Sequence, residues 1–175
     1  MPRPLLPDWP ALNPGEVLAK LGGIYEHSQW VAEQLLGEGL RSADREPTHL
    51  AARIRAIVDA AGPEAHLKLL RAHPELAGKL AVARKLEAHS TAEQASAGLD
   101  QCTAEEFESF QRLNSAYTEK FGHPFIIAVR GLSRAEILRQ FQRRLDNPTG
   151  TEFATALAEV HKIARLRLLA LATES

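Results

Sequence analysis

Helix-capping signals recur along the whole chain, whereas the alternating apolar pattern that is typical of β-strands is nearly absent. Several segments place Asn, Ser or Thr three residues before Glu, a spacing that lets the two side chains satisfy the free amides of a helix start. After Thr103, apolar residues follow every three or four positions. The sequence therefore predicts an all-α fold. The capping segments begin at Asn13, Ser90, Thr103 and Ser133.

Turn and capping signals divide the chain into about eight helices, which we expect to form one bundle. Because no repeat or long linker interrupts the sequence, residues 1–175 are predicted to be a single domain with an irregular arm at residues 1–11. Phe125–Val129 is an apolar run between turn signals that is too short for a helix, so we predict buried extended chain there. The first and third expected helices are capped by Asn13 and Thr48, and the second spans Ile24–Leu36. The fourth ends at His73, and the next candidate spans Leu76–Leu86. Further helices are expected to begin near Ser90, Thr103, Ser133 and Thr151.

Composition and charge exclude several classes of function. The chain has 175 residues, 45% of them apolar, and carries 21 Lys and Arg against 22 Asp and Glu, for a net charge of −1. It can bury a sizeable core, and it has no excess of positive charge for a nucleic-acid backbone. Its apolar runs are far shorter than the roughly 20 residues of a membrane span, and its start lacks the apolar core of a secretory signal. We therefore expect a cytoplasmic protein that binds neither nucleic acid nor membrane, with exposed helix faces that could support a homodimer.

The last helix carries a cation within its apolar stripe. At about 100° per residue, Arg167 lies on the same face as Val160 and Leu171, whereas Arg165 points to the flank. A guanidinium directed at the interior needs a carboxylate, several carbonyl groups or an anionic ligand, because a buried unpaired charge is strongly destabilising. Arg167 is thus either structural, as an ion pair or a snorkelling side chain, or part of a functional site.

A histidine and a Ser-x-x-Glu segment offer further candidates. His73 is expected at a helix end, because Pro74 excludes the preceding residue from the helical region. Imidazole, with an ordinary pKa near 6.5, suits proton transfer at neutral pH, although a surface or capping histidine is the simpler alternative. Ser90 and Glu93 are explained equally well by a capping box alone.

Common metal and nucleotide motifs are missing from the sequence. None of the seven histidines has another histidine four residues away, Cys102 is the single cysteine, and no glycine-rich phosphate-binding motif occurs. We therefore expect no metal and no cofactor, and we interpret Cys102 as a small inert apolar residue.

Four blocks of sequence, taken together and in this order, resemble one known family: Ala72–Lys79, Ser90–Asp100, Lys120–Val129 and Lys162–Leu168. The chain resembles the 2-oxo-4-hydroxy-4-carboxy-5-ureidoimidazoline (OHCU) decarboxylases from about residue 12 to residue 171. A local departure is Gln29, where the pattern of the family has proline. The resemblance implies an all-helical, cofactor-independent enzyme that converts OHCU to (S)-allantoin and CO2, the last step from urate to allantoin.

The resemblance also implies which residues form the site. It implies catalytic roles for His73, Glu93 and Arg167. It implies substrate contacts from Pro74, Ser90, Thr91, Ala92, Gln94, Phe125, Ile126, Ile127, Ala128 and Val129.

The substrate itself suggests how these residues act. Its carboxylate lies on a carbon beside a ring C=N bond, which can take the electrons when CO2 departs. His73 would then supply a proton, and Glu93 would either hold the imidazole tautomer or accept a hydrogen bond from the substrate hydroxyl. Arg167 would contact a ring or ureido carbonyl, because a grip on the departing carboxylate would stabilise the reactant more than the transition state. Backbone amides of Phe125–Val129 would bind polar edges, with Phe125 over the ring.

Two rival interpretations remain. One is a non-catalytic module of the same fold that binds a small ligand or a partner. The other is a helical nucleic-acid-binding protein, suggested only by Arg139, Arg143 and Arg144, which are expected to lie on a solvated helix face.

Overall fold

The computed structural model describes residues 5–76 and 102–174. These two ranges contain α-helices and short 3₁₀ helices and no strand, which confirms the all-α prediction. The predicted helices at Leu76–Leu86 and near Ser90 fall outside the described residues, apart from Leu76 itself. The α-helices are α1 (Pro14–Leu21), α2 (Trp30–Glu38), α3 (Pro47–Ala60), α4 (Pro63–Arg71), α5 (Ala104–Phe121), α6 (Arg134–Leu145) and α7 (Thr149–Glu174), and the 3₁₀ helices are Trp9–Ala11 and Ser42–Arg45.

Local side chains start three of the helices as the sequence predicts. Complete capping boxes, with both reciprocal hydrogen bonds, open α1, α5 and α6 at Asn13, Thr103 and Ser133. The backbone N–H of Ser133 donates to Glu136 at 2.6 Å, and this bond is the main cause of the lowered pKa of the Glu136 carboxyl. Gly122 ends α5 in the left-handed conformation, with φ of 76°.

Several predicted helix boundaries were displaced. The predicted helix at Ile24–Leu36 begins only at Trp30, because the carbonyls of Gly23 and Ile24 accept hydrogen bonds from Arg167 and His27 has a φ of 49°, which a helix cannot contain. The other changes are small. Glu46 rather than Thr48 caps α3, α4 ends at Arg71 instead of His73, and α7 begins at Thr149 instead of Thr151.

Backbone packing divides the chain into two compact units. Unit one comprises residues 1–72 and 161–175, and unit two comprises residues 73–160. Helix α7 contributes its first turns to unit two and its remainder to unit one.

Unit one has a core of aliphatic side chains and Trp9, which is fully buried. The indole Nε1 of Trp9 donates to the carbonyl of Asp44 at 2.9 Å, and the amide of Leu6 donates to the carbonyl of Arg45 at 2.8 Å. These bonds attach the described part of the N-terminal arm to its own unit. Residues 5–8 of the arm are irregular, and Trp9–Ala11 forms the first 3₁₀ helix.

Unit two has an aromatic core between α5 and α6. The apolar run Phe125–Val129 lies in this core, is buried along its whole length, and belongs to no helix or strand. Prediction and structure therefore agree that this run is buried non-helical chain. None of the helices within residues 5–76 and 102–174 is long and apolar enough to cross a bilayer. The core residues of unit two are Leu76, Phe110, Tyr117, Phe121, Phe125, Ile127, Val129, Ile137 and Phe141.

Candidate active site

His73 and Pro74 open unit two, in a short irregular segment that follows α4 in the chain. The His73 ring is half-buried, and its Nδ1 lies 3.3 Å from the carbonyl oxygen of Pro74. The end of the segment is anchored, because Leu76 packs into the core and its carbonyl accepts a hydrogen bond of 2.8 Å from Asn114 Nδ2. A buried side-chain amide thus holds the chain three residues after the candidate histidine.

Two charged side chains hold the backbone of Phe125–Val129. Arg144 Nη1 donates to the carbonyl of Ile126 at 2.7 Å, and Glu159 Oε2 accepts from the amide of Ala128 at 2.7 Å. The fully buried Phe125 ring packs against the Phe141 ring, with 3.9 Å between centroids, and lies 4.3 Å from the Arg144 guanidinium. Contact with a ligand in this segment would therefore come from the main chain rather than from the Phe125 ring.

Arg144 belongs to a buried network centred on Glu152. Oε1 of Glu152 accepts hydrogen bonds from Arg144 Nε at 2.8 Å, from Arg144 Nη2 at 2.6 Å and from Tyr117 Oη at 2.5 Å. Burial is the main cause of the strongly raised pKa of Tyr117, and its bond to Glu152 adds to it. The prediction that Arg144 is solvated was wrong, whereas Arg139 and Arg143 are exposed as predicted.

Arg167 lies in unit one and is buried, as its position in the apolar stripe predicts, while Arg165 is exposed. Its Nη1 donates to Glu26 Oε2 at 2.9 Å and to the carbonyls of Ile24 at 3.2 Å and Gly23 at 3.4 Å. The guanidinium thus has both the carboxylate and the carbonyl groups that burial demands.

The predicted site residues are only partly described. His73, Pro74 and Phe125–Val129 belong to unit two, in which Leu76 and alternate residues of Phe125–Val129 share one core. Arg167 belongs to unit one. The remaining predicted residues lie outside the described residues: Ser90, Thr91, Ala92, Glu93 and Gln94.

Another buried polar chain in unit one was not predicted. Tyr25 Oη lies 2.8 Å from His161 Nδ1, and His161 Nε2 lies 3.0 Å from Asp59 Oδ1. This geometry fits a neutral imidazole that accepts from Tyr25 and donates to Asp59. Burial lowers the pKa of His161, and the Asp59 carboxylate partly opposes that shift.

Sequence reasoning missed several buried polar residues, although helical periodicity could have found most of them. Asn114 lies four residues after Phe110 and three before Tyr117, inside the buried stripe of α5. Within residues 5–76 and 102–174, the buried Oδ1 of Asn114 has no hydrogen-bond partner. Other missed residues include the buried Glu26, Arg144 and Glu152 and the half-buried Glu159.

Comparison with known proteins decides the family. The family model described as OHCU decarboxylase matches residues 10–169. The chain belongs to the OHCU decarboxylase family. An OHCU decarboxylase from Haloferax volcanii is 44% identical over 147 residues, which are 84% of this chain and 83% of that protein.

Two further relatives are longer than this chain. The uric acid degradation bifunctional protein of Bacillus subtilis is 39% identical over 158 residues, which are 88% of this chain and 30% of that protein. A crystal structure of (S)-allantoin synthase matches with a TM-score of 0.72 and 36% identity, over 92% of this chain and 51% of that one. The chain thus spans about half the length of this family structure.

Proposed function

We propose that this protein decarboxylates OHCU to (S)-allantoin and CO2, the last step of urate conversion to allantoin. Membership of the OHCU decarboxylase family over residues 10–169 carries the proposal. The names of its relatives also favour this enzymatic function over that of a non-catalytic module.

The reaction needs positioning and proton transfer rather than an external electron acceptor. The bond between the carboxylate carbon and the ring breaks, and its electron pair enters the neighbouring C=N system. The nitrogen that receives this electron pair takes up a proton. A second proton is then delivered from one face to the ring carbon that bears the ureido group, which fixes the configuration of the product, while the hydroxyl on the decarboxylated carbon loses its proton and becomes the ring carbonyl. The protein must therefore align the breaking bond with the π-system and place one acid on one side of the ring.

His73 is the proposed acid. Its half-buried ring sits beside Pro74 in a segment that the Asn114 bond to Leu76 anchors, so the imidazole has a defined place. Glu93, with Ser90, Thr91, Ala92 and Gln94 around it in the sequence, is proposed to orient this imidazole or to bind the substrate hydroxyl.

Arg167 is proposed to donate to a neutral carbonyl of the substrate. Its ion pair with Glu26 offsets the positive charge, which suits a ring or ureido carbonyl better than a departing carboxylate. In Phe125–Val129, the amide of Ala128 and the carbonyl of Ile126 already bond to Glu159 and Arg144. Substrate contacts of this segment are therefore proposed for its other main-chain groups.

Circular dichroism during coupled turnover of urate tests the function. With urate oxidase and hydroxyisourate hydrolase present, addition of this protein should speed the appearance of optically active allantoin. An unchanged rate, with folded protein in the cuvette, would reject the proposal.

Replacement of His73 by alanine tests the acid. His73→Ala is expected to lower kcat at least about 100-fold, because positioned proton transfer is lost, while the melting temperature changes little. His49→Ala removes an exposed imidazole from α3 and serves as the matched control. Equal turnover by both variants would remove His73 from the mechanism.

The homodimer and the cytoplasmic location stay predictions, which sedimentation and cell fractionation would test.

A further inference from the structure

The backbone of Phe125–Val129 is held at two points by charged side chains. The carbonyl of Ile126 accepts from Arg144 Nη1, and the amide of Ala128 donates to Glu159 Oε2, each at 2.7 Å. The two bonded residues are two positions apart, so both bonds act on the middle of the segment. Both bonds involve a charged side chain, which makes them stronger than bonds between neutral groups.

Arg144 is itself fixed before it reaches Ile126. Glu152 accepts from its Nε and Nη2, and the guanidinium also lies over the Phe125 ring. The Arg144 and Glu152 side chains are 5% and 0% exposed, so water does not compete for these bonds. This contact therefore belongs to the core of unit two, and its loss would disturb folding.

Glu159 is different, because it is half-buried and holds the segment from outside that network. Within the described part of the chain Glu159 forms no ion pair, and it contacts the segment by accepting the hydrogen bond from the Ala128 amide. Glu159 follows Glu152 by seven residues on α7, about two helical turns, so the two carboxylates share a helix face. Helix α7 thus fixes the segment at both points: Glu159 bonds to Ala128 directly, and Glu152 positions the Arg144 side chain that bonds to Ile126.

We propose that Glu159 is a positioning residue for the decarboxylation, which acts by fixing the main chain of Phe125–Val129 through the amide of Ala128. The inference rests on the proposed function of this segment in substrate binding. A segment free to rotate at Ala128 would present its remaining polar groups in several orientations. The substrate ring would then be oriented less precisely, both for cleavage of the carboxylate bond and for protonation on one face.

Three substitutions separate the effect of the length of the Glu159 side chain from the effect of its charge. Glu159→Gln keeps an oxygen that can accept from the Ala128 amide, Glu159→Asp keeps the charge but is one methylene too short, and Glu159→Ala lacks both. Glu119→Ala, at an exposed position on α5 of the same unit, is the matched control for loss of a carboxylate.

We expect Glu159→Ala and Glu159→Asp to lower kcat by about 10- to 100-fold, the range that small misplacements of a bound substrate cause. We also expect a lower enantiomeric excess of allantoin after correction for the spontaneous reaction. Glu159→Gln should keep most of the activity and selectivity, and all variants should melt close to Glu119→Ala. Equal loss in the Gln and Asp variants, or no loss in any variant, would overturn the proposal.

Hydrogen exchange gives a readout that does not depend on turnover. The Ala128 amide should exchange faster in Glu159→Asp than in wild type, with no comparable change in Glu119→Ala. An unchanged exchange rate would show that Glu159 does not fix the Ala128 amide, and would overturn the proposal. If exchange is faster in Glu159→Asp but the wild-type protein does not accelerate allantoin formation, the contact between Glu159 and Ala128 is supported and the proposed function is rejected instead.

Discussion

Glu26 and Arg167 form an ion pair whose side chains are 1% and 2% exposed. Such a pair contributes little net stability, because desolvation of the two ions offsets their attraction, but removal of one member leaves an uncompensated buried charge. The proposed role of Arg167 in catalysis and its role in stability therefore involve the same residue, and single substitutions cannot separate them.

Paired substitutions can make that separation. Arg167→Met should lower the free energy of unfolding by about 3 kcal/mol, and Glu26→Gln combined with Arg167→Met should recover much of it, since no buried ion is then left alone. Activity should stay low in the double variant, because the side chain that we propose as the donor to the substrate is still missing. Urea unfolding and the coupled assay measure both; a double variant with full turnover would make Arg167 purely structural.

His161 predicts a pH dependence of stability. In the unfolded chain the pKa of His161 is near 6.5, and burial lowers it in the folded protein. As the pH falls, the unfolded state therefore binds a proton first. The stability due to the neutral imidazole should be fully present above about pH 7 and be lost at lower pH. Melting temperatures measured from pH 8 to pH 5 should fall more steeply for wild type than for His161→Gln. Parallel curves would show that another group causes the acid sensitivity.

Periodicity predicted single residues well when the helix face alone decided their burial. It placed Arg167 inside, but not its partner Glu26, which lies 141 residues away in the chain. Arg144 was misplaced because it was grouped with two exposed neighbours. It follows the buried Ile137 and Phe141 by seven and three residues, so the same argument applied to α6 would have found it.

The helices themselves were predictable where their ends depend on nearby residues. Asn13, Thr103 and Ser133 cap their own helices, and the sequence contains everything that these capping boxes need. The start of α2 was not predictable in this way. Its upstream carbonyls bond to Arg167, a contact that only the folded chain creates.

The cap of α6 offers a test at the level of the helix. Ser133→Ala should lower the free energy of unfolding by about 1 kcal/mol, because the side-chain acceptor for the Glu136 amide is lost. Thr118→Ala, at an exposed position inside α5, controls for the general effect of alanine and should not destabilise. Chemical unfolding of both variants measures the difference, and a Ser133→Ala protein as stable as wild type would contradict the role of this cap.

At the scale of the whole molecule, α7 is the element that both compact units share. Buried residues continue along it, with Ala156 and Val160 in unit two and Ile163 and Leu168 in unit one. Neither unit keeps a complete core if this helix unfolds. We therefore expect the two units to unfold together.

The positions of the tryptophans allow a direct check. Trp9 and Trp30 both lie in unit one, so tryptophan fluorescence reports on that unit, whereas far-ultraviolet circular dichroism reports on the helices of both. In urea, the two signals should give the same midpoint and slope. A fluorescence transition displaced from the dichroism transition would show that the units unfold independently.

The seven-residue spacing of Glu152 and Glu159 also limits how this protein can diverge. Substitutions at exposed positions between them, such as Ala154, leave the register of α7 intact. Deletion of a single residue there would turn all later side chains by about 100° and move Glu159 off the face of Glu152. Descendants of this sequence should therefore vary at the exposed positions of this stretch and hardly at all in its length.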